Sequence, residues 1–195
     1  MPLSQSLQAA ATGDEAAFVH MVNACDGRLR RLAMALLGPT DVDHLVIDAW
    51  RTAFRRSSET DALDDERMRT WLCRIVVELC QASGVAVDDG PIDFASAPSE
   101  RFLPVGDRWE GHWAVPPAPW RGDTNSPTAV AAVRTALATL PSAGARAVTV
   151  LRDVDGVALA DVTAILGIDQ CEARRLLHRG RSVVREALER VLAPA

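Results

Sequence analysis

Five basic side chains, Arg174, Arg175, His178, Arg179 and Arg181, crowd into one short stretch near the end of this chain. An arginine side chain is a rigid fork of N–H donors that meets a phosphate, or the outer edge of guanine, with two hydrogen bonds at once. All 21 lysine-plus-arginine positions are arginine, so every fixed cation here has that geometry. Covalent or acid–base chemistry finds no comparable group. There is no Gly-rich phosphate loop, no HExxH and no Ser/His/Asp arrangement that the spacing supports, which points to a binding protein with no cofactor and no small-molecule substrate. The cysteines Cys25, Cys73, Cys80 and Cys171 form no CxxC pair, and His20, His44, His112 and His178 are scattered without ligand-spaced partners. Cys73 and Cys80 are seven residues apart and share a helix face, as buried small apolar side chains do. No metal site is expected.

The elements that must position the arginines are legible. Ala158, Val162, Ile165 and Leu166 repeat at helical spacing, Gly167-Ile168-Asp169 forms a turn, and a second helix follows. Two short helices joined by a Gly-containing turn of this length make a helix-turn-helix, which presents its second helix to the major groove of DNA. Asp169 stands at the N-cap with Glu172 three residues on, the pattern of a capping box. Leu176, Leu177, Val183, Val184, Leu188, Val191 and Leu192 fall on an apolar stripe, and Arg174, His178, Arg181 and Arg185 on another. The candidate DNA-binding set is therefore Glu172, Arg174, Arg175, His178, Arg179 and Arg181. A solvated helix face would explain the arginines alone.

The rest of the chain divides by composition. Residues 1–84 read as an amino-terminal helical bundle, 85–127 as an irregular acidic linker rich in Pro and Trp, and 128–195 as a carboxy-terminal four-helix domain ending in the helix-turn-helix. The fold class is all-α. In the first unit, helices are expected from Gly13 through Val22, over Arg28–Leu37, over Asp41–Arg55 and from about Asp65 to Cys80. Seven of the 11 prolines lie between Pro91 and Pro127, so regular structure is improbable there. The same segment holds Trp109, Trp113 and Trp120, too much aromatic surface for a plain spacer. They dock either on the chain's own domains or on a partner. The net charge of −5 is uneven: nine arginines face twelve acids in 1–84, three face seven in 85–127, and nine face seven in 128–195. The basic surplus lies in the last unit, yet the total is too acidic for tight non-specific DNA binding. No run approaches the ~18 apolar residues of a membrane span, and Met1-Pro2-Leu3-Ser4 does not open a signal peptide. A cytoplasmic protein without membrane insertion is expected.

Several motifs occur in an order that resembles a family. Leu140-Pro141, Val150-Leu151-Arg152-Asp153-Val154-Asp155-Gly156, Leu166-Gly167-Ile168 and Leu177-His178-Arg179-Gly180-Arg181 are similar to the promoter-binding domain of bacterial sigma factors of the extracytoplasmic-function group. Gly13-Asp14-Glu15-Ala16-Ala17-Phe18, Arg28-Leu29-Arg30-Arg31-Leu32-Ala33, Leu36-Leu37-Gly38 and Arg69-Thr70-Trp71-Leu72-Cys73-Arg74-Ile75 resemble that group's first domain. The resemblance implies a non-enzymatic subunit that directs core RNA polymerase to promoter DNA, under the control of an anti-sigma regulator in some cases. By that resemblance the first bundle meets the polymerase clamp through Asp48, Arg51 and Arg55, and the linker, with Trp109, Trp113 and Trp120, lies along the enzyme.

Departures from the pattern gather where such a protein touches DNA. His44 and Ile47 stand for an acidic residue and a glutamine, Val77 and Glu78 for a basic residue and an asparagine, Glu172 for a threonine and Leu176 for a basic residue. Gln81-Ala82-Ser83-Gly84 stands where arginines are common, and Ser57–Glu66 has no aromatic residue to capture a flipped base. The alternative function is accordingly a sigma-like interaction protein that binds polymerase or a regulator and has lost promoter opening.

Overall fold

The computed structural model describes residues 1–87, 108, 122–140 and 142–192, and among the described residues all regular structure is helical. Helix α1 spans Leu3–Ala11, a helix the sequence reading did not anticipate. Its first turn lacks a cap of its own, and Asp65 Oδ1 supplies one by accepting from the Leu3 N–H at 2.8 Å. Helix α2, Glu15–Leu37, is continuous where two helices were expected. Its buried Met21, Cys25, Leu29, Leu32 and Leu36 keep helical spacing straight through Gly27, so tertiary burial outweighs the cost of an interior glycine. Asp14 opens α2 by accepting from the Ala17 N–H at 3.0 Å, and Gly38 closes it at φ 80°.

Helix α3 is Val42–Arg55, a short 3-10 turn covers Ser57–Thr60, and α4 is Asp65–Ala82, capped by Asp64 on the Arg67 N–H at 2.8 Å. The sequence expectation started this helix at Asp41, with Thr40-Asp41 as its cap; Asp41 instead precedes α3 in a left-handed conformation and makes no side-chain cap. In the second half, α5 is Pro127–Thr139 and α6 is Ala143–Thr149, each opened by a serine that accepts a backbone N–H, Ser126 and Ser142. A π-helical turn, Val150–Val154, prolongs α6; α7 is Leu159–Leu166 and α8 is Gln170–Leu192.

One hydrophobic core runs through both halves. Leu29, Leu32, Leu72 and Ile75 from the first bundle belong to the same buried cluster as Val148, Leu151, Val162, Ile165 and Leu176 from the second. The seam is made where α2 packs on α6 and α4 packs on α7. Polar groups close it as well. Arg146 of α6 donates to the Ala35 carbonyl at 2.5 Å and the Leu36 carbonyl at 3.3 Å, and so satisfies acceptors that the last turn of α2 leaves open. Arg31 of α2 donates to Asp155 Oδ1 from Nε at 2.8 Å and from Nη2 at 2.5 Å. Within the second half, α6 and α8 cross closely at Gly180, where a Cβ would lie 2.0 Å from Thr149 Oγ1. Gly144 of α6 makes room for the chain after α4, since a Cβ there would lie 2.1 Å from the Val87 carbonyl oxygen. A smaller cluster, Ala129, Leu188 and Leu192, ties α5 to the end of α8.

Candidate nucleic-acid interface

The turn between α7 and α8 is built from backbone geometry. Gly167 takes a left-handed conformation at φ 68°, and its N–H and that of Ile168 both reach the Thr163 carbonyl, at 2.9 and 3.3 Å. This closes α7 and redirects the chain within three residues. Asp169 then accepts from the Glu172 N–H at 2.8 Å, so the expected N-cap is present. The reciprocal half of the capping box is not: the Glu172 carboxylate pairs with Arg175 instead. A cation one turn away outcompetes a backbone N–H for that carboxylate.

The six candidate residues divide between two sides of α8. Arg174, His178 and Arg181 are exposed along one side, and Arg185 extends that line. They edge a groove of about 730 Å³ whose walls include Val133, Leu137, Leu177 and Leu188. Arg181 is held by Asp153 of the π turn, at 2.8 Å from Nε and 2.6 Å from Nη2, and this carboxylate stabilises the guanidinium further in its charged form. On the other side lie the Glu172–Arg175 pair and Arg179, all partly covered. Leu176 and Leu177 are buried as their stripe requires, whereas Val191 is exposed and Val183 and Val184 are half-buried. Sequence reasoning left two members out of the site. Arg185 was marked by its four-residue spacing from Arg181; Asp153 carried no sign in the sequence that it would face α8.

In the first bundle, Asp48, Arg51 and Arg55 are exposed together on α3, with Arg51 3.1 Å from Asp48 and Arg55 donating to Thr52 Oγ1 at 3.2 Å. His44 and Ile47 are exposed beside them. Glu78 of α4 is bound by Arg56 at 2.9 Å, and Arg56 also pairs with Glu59 and stacks 5.8 Å from the Trp71 ring centroid. Val77 does not occupy a surface position at all: it is 3% exposed, within the core. Trp109, Trp113 and Trp120 lie outside the described residues.

Cys73 and Cys80 are buried as their shared face implied, Cys25 is buried too, and Cys171, in the first turn of α8, is exposed. Burial pushes the Cys25 and Cys80 thiols up to about 11 and that of Cys73 to about 12. Among the described residues no group of His, Cys, Asp and Glu is placed to hold a metal ion, and no helix is long and apolar enough to cross a membrane.

No family model and no curated protein matches this sequence. Solved structures do. The chain is similar to CnrH in its complex with the cytosolic domain of CnrY, at 21% identity and a TM-score of 0.55, over 96% of this chain and 97% of that one. It is also similar to the sigma factor RpoE in complex with the anti-sigma factor NepR from Bartonella quintana, at 19% identity and a TM-score of 0.53, over 88% and 96% of the two chains. The fold is that of the extracytoplasmic-function sigma factors.

Proposed function

We propose that the chain is a sigma-type specificity subunit that directs core RNA polymerase to promoters, with α8 reading an upstream element and the α1–α4 bundle joining the enzyme. The observation that carries this reading is the α7–turn–α8 geometry, capped by Asp169, with Arg174, His178 and Arg181 exposed on one side of α8. Arg174 and Arg179 offer the forked donors that base edges and phosphates need. Asp48, Arg51 and Arg55 provide a polar face on α3 for a polymerase helix.

A second reading, a sigma-like regulator that binds polymerase or an anti-sigma partner without opening promoters, is favoured by α4. Val77 is in the core and Glu78 is tied to Arg56, so neither offers a cation to a DNA strand. The groove beside α8, apolar within and lined by Arg174, His178 and Arg185, suits a helix of such a partner. The test is to mix the protein with purified core polymerase, separate the complex by gel filtration, and select DNA fragments with it. Co-elution with enrichment of a common sequence supports the first reading; co-elution without enrichment supports the second. Loss of both sinks the first reading and the polymerase-binding form of the second.

A further inference from the structure

We propose that Gln170, the first residue of α8, is a specificity residue that reads an adenine of the DNA element, beside a guanine read by Arg174. The assignment rests on the function proposed above and names the bases that α8 selects. Gln170, Arg174, His178 and Arg181 follow one another at spacings of four, four and three residues, so they form a single line along α8, and all four are exposed. Arg181, at the far end of the line, is held by both oxygens of Asp153. The other three are uncommitted. Among the described residues, none hydrogen-bonds to the Gln170 amide, the Arg174 guanidinium or the His178 ring. The Glu172–Arg175 pair, in contrast, closes on itself beside the line with both side chains largely covered. Such a pair has to open before either member meets a base.

Gln170 is fixed in place while its side chain is free. The Asp169 carboxylate accepts from the Glu172 N–H at 2.8 Å and the Asp169 carbonyl from the Ala173 N–H at 3.0 Å, so the first turn of α8 is closed around it. Ala173, Leu176 and Leu177 are buried and seat the helix from behind. The first residues of a recognition helix are the ones that reach base edges in the major groove. A primary amide offers there an N–H donor beside a carbonyl acceptor, which match N7 and the N6 amino group of adenine. Guanine presents two acceptors, N7 and O6, and would set one of them against the amide oxygen. A guanidinium offers two donors and therefore takes guanine. At about 1.5 Å of rise per residue the two side chains leave α8 about 6 Å apart, against about 3.4 Å between successive bases on a strand, which places the adenine and the guanine within about two base pairs of each other.

Selection from randomised duplex DNA by the full chain with purified core polymerase tests this. The parent is expected to enrich an element with a preferred adenine and, within about two base pairs, a preferred guanine. Gln170→Arg moves the preference at the adenine position to guanine. Gln170→Ala removes the preference at that position, a loss of about 5- to 150-fold in discrimination, and keeps the guanine. Arg174→Ala does the reverse. Gln170 is exposed and alanine favours helix, so the fold is retained in the variant that carries the test. Base preferences that are the same in the parent, Gln170→Arg and Gln170→Ala overturn the assignment and leave the sigma reading standing. A Gln170→Ala variant that loses preference evenly at every position overturns it as well, since that is the mark of a residue that only seats the helix. A parent that enriches no element overturns the upstream reading itself, and the assignment with it.

Discussion

At the residue scale the arginines of α8 are not equivalent. Arg174 is exposed, whereas Arg175 is committed to Glu172 and Arg181 to Asp153. A guanidinium already held by a carboxylate must exchange one partner for another on binding DNA, so its replacement costs less. Arg174→Ala is expected to weaken binding to a selected upstream element by about 1 to 3 kcal/mol, and Arg175→Ala by less, as read by anisotropy titration. Equal losses would mean that the Glu172–Arg175 pair opens on DNA. The thiols make a second residue-scale test. At pH 8 an alkylating reagent is expected to modify Cys171 alone in the native protein and all four cysteines after unfolding. The sign of the linked pH effect follows from the folded thiols holding their protons to about 11 and 12 against an ordinary 9.0. The stability they contribute is complete below about pH 9 and is lost as the pH climbs through the folded values. Denaturant midpoints that stay flat from pH 8 to 11 would contradict this.

At the element scale, helices were legible wherever periodicity and a cap agreed. The start of α8 at Asp169, the end of α2 at Gly38 and the apolar faces of α3 and α4 all follow from residues whose local preference matches their place. Helix α1 was missed because its cap comes from Asp65, far away in the chain, and α2 was split because Gly27 looks like a break until the buried stripe on both sides is known to face one core. Val77 and Leu176 show the same limit at the site. Each stands where the sigma pattern carries a basic residue, and each is buried for reasons that lie in another element. Restoring the pattern at these positions is therefore expected to damage the protein: Leu176→Arg places an unpaired charge at a fully buried site and should cost about 3 to 5 kcal/mol in denaturant unfolding. Unchanged stability would show that the side chain escapes to solvent. Gly180 gives the converse case. Alanine there improves helix propensity by about 1 kcal/mol, yet its Cβ meets Thr149 Oγ1 at 2.0 Å with the Ala145 carbonyl oxygen behind it at 3.2 Å. Net destabilisation of about 1 to 3 kcal/mol is expected from the forced separation of α6 and α8. A rise in Tm would refute so tight a crossing.

At the scale of the whole molecule, the described residues of the first and second halves share one core, and the departures from the sigma pattern acquire a physical meaning. Val77 belongs to the packing of α4, and Glu78 belongs to a surface network with Arg56, Glu59 and Trp71. Glu78→Asn removes a carboxylate and releases Arg56 from one of its two partners, which adds net positive charge beside α4. On the proposed function this variant opens promoters better than the parent, with stability nearly unchanged because exposed pairs of this kind contribute about 0 to 1 kcal/mol. The central claim is the sigma function itself, and run-off transcription with purified core polymerase on DNA fragments selected by the protein measures it most directly. The expected result is a transcript that requires the protein, starts downstream of the selected element, weakens with Arg174→Ala and strengthens with Glu78→Asn. Polymerase binding with no transcript from the parent or from Glu78→Asn would contradict it.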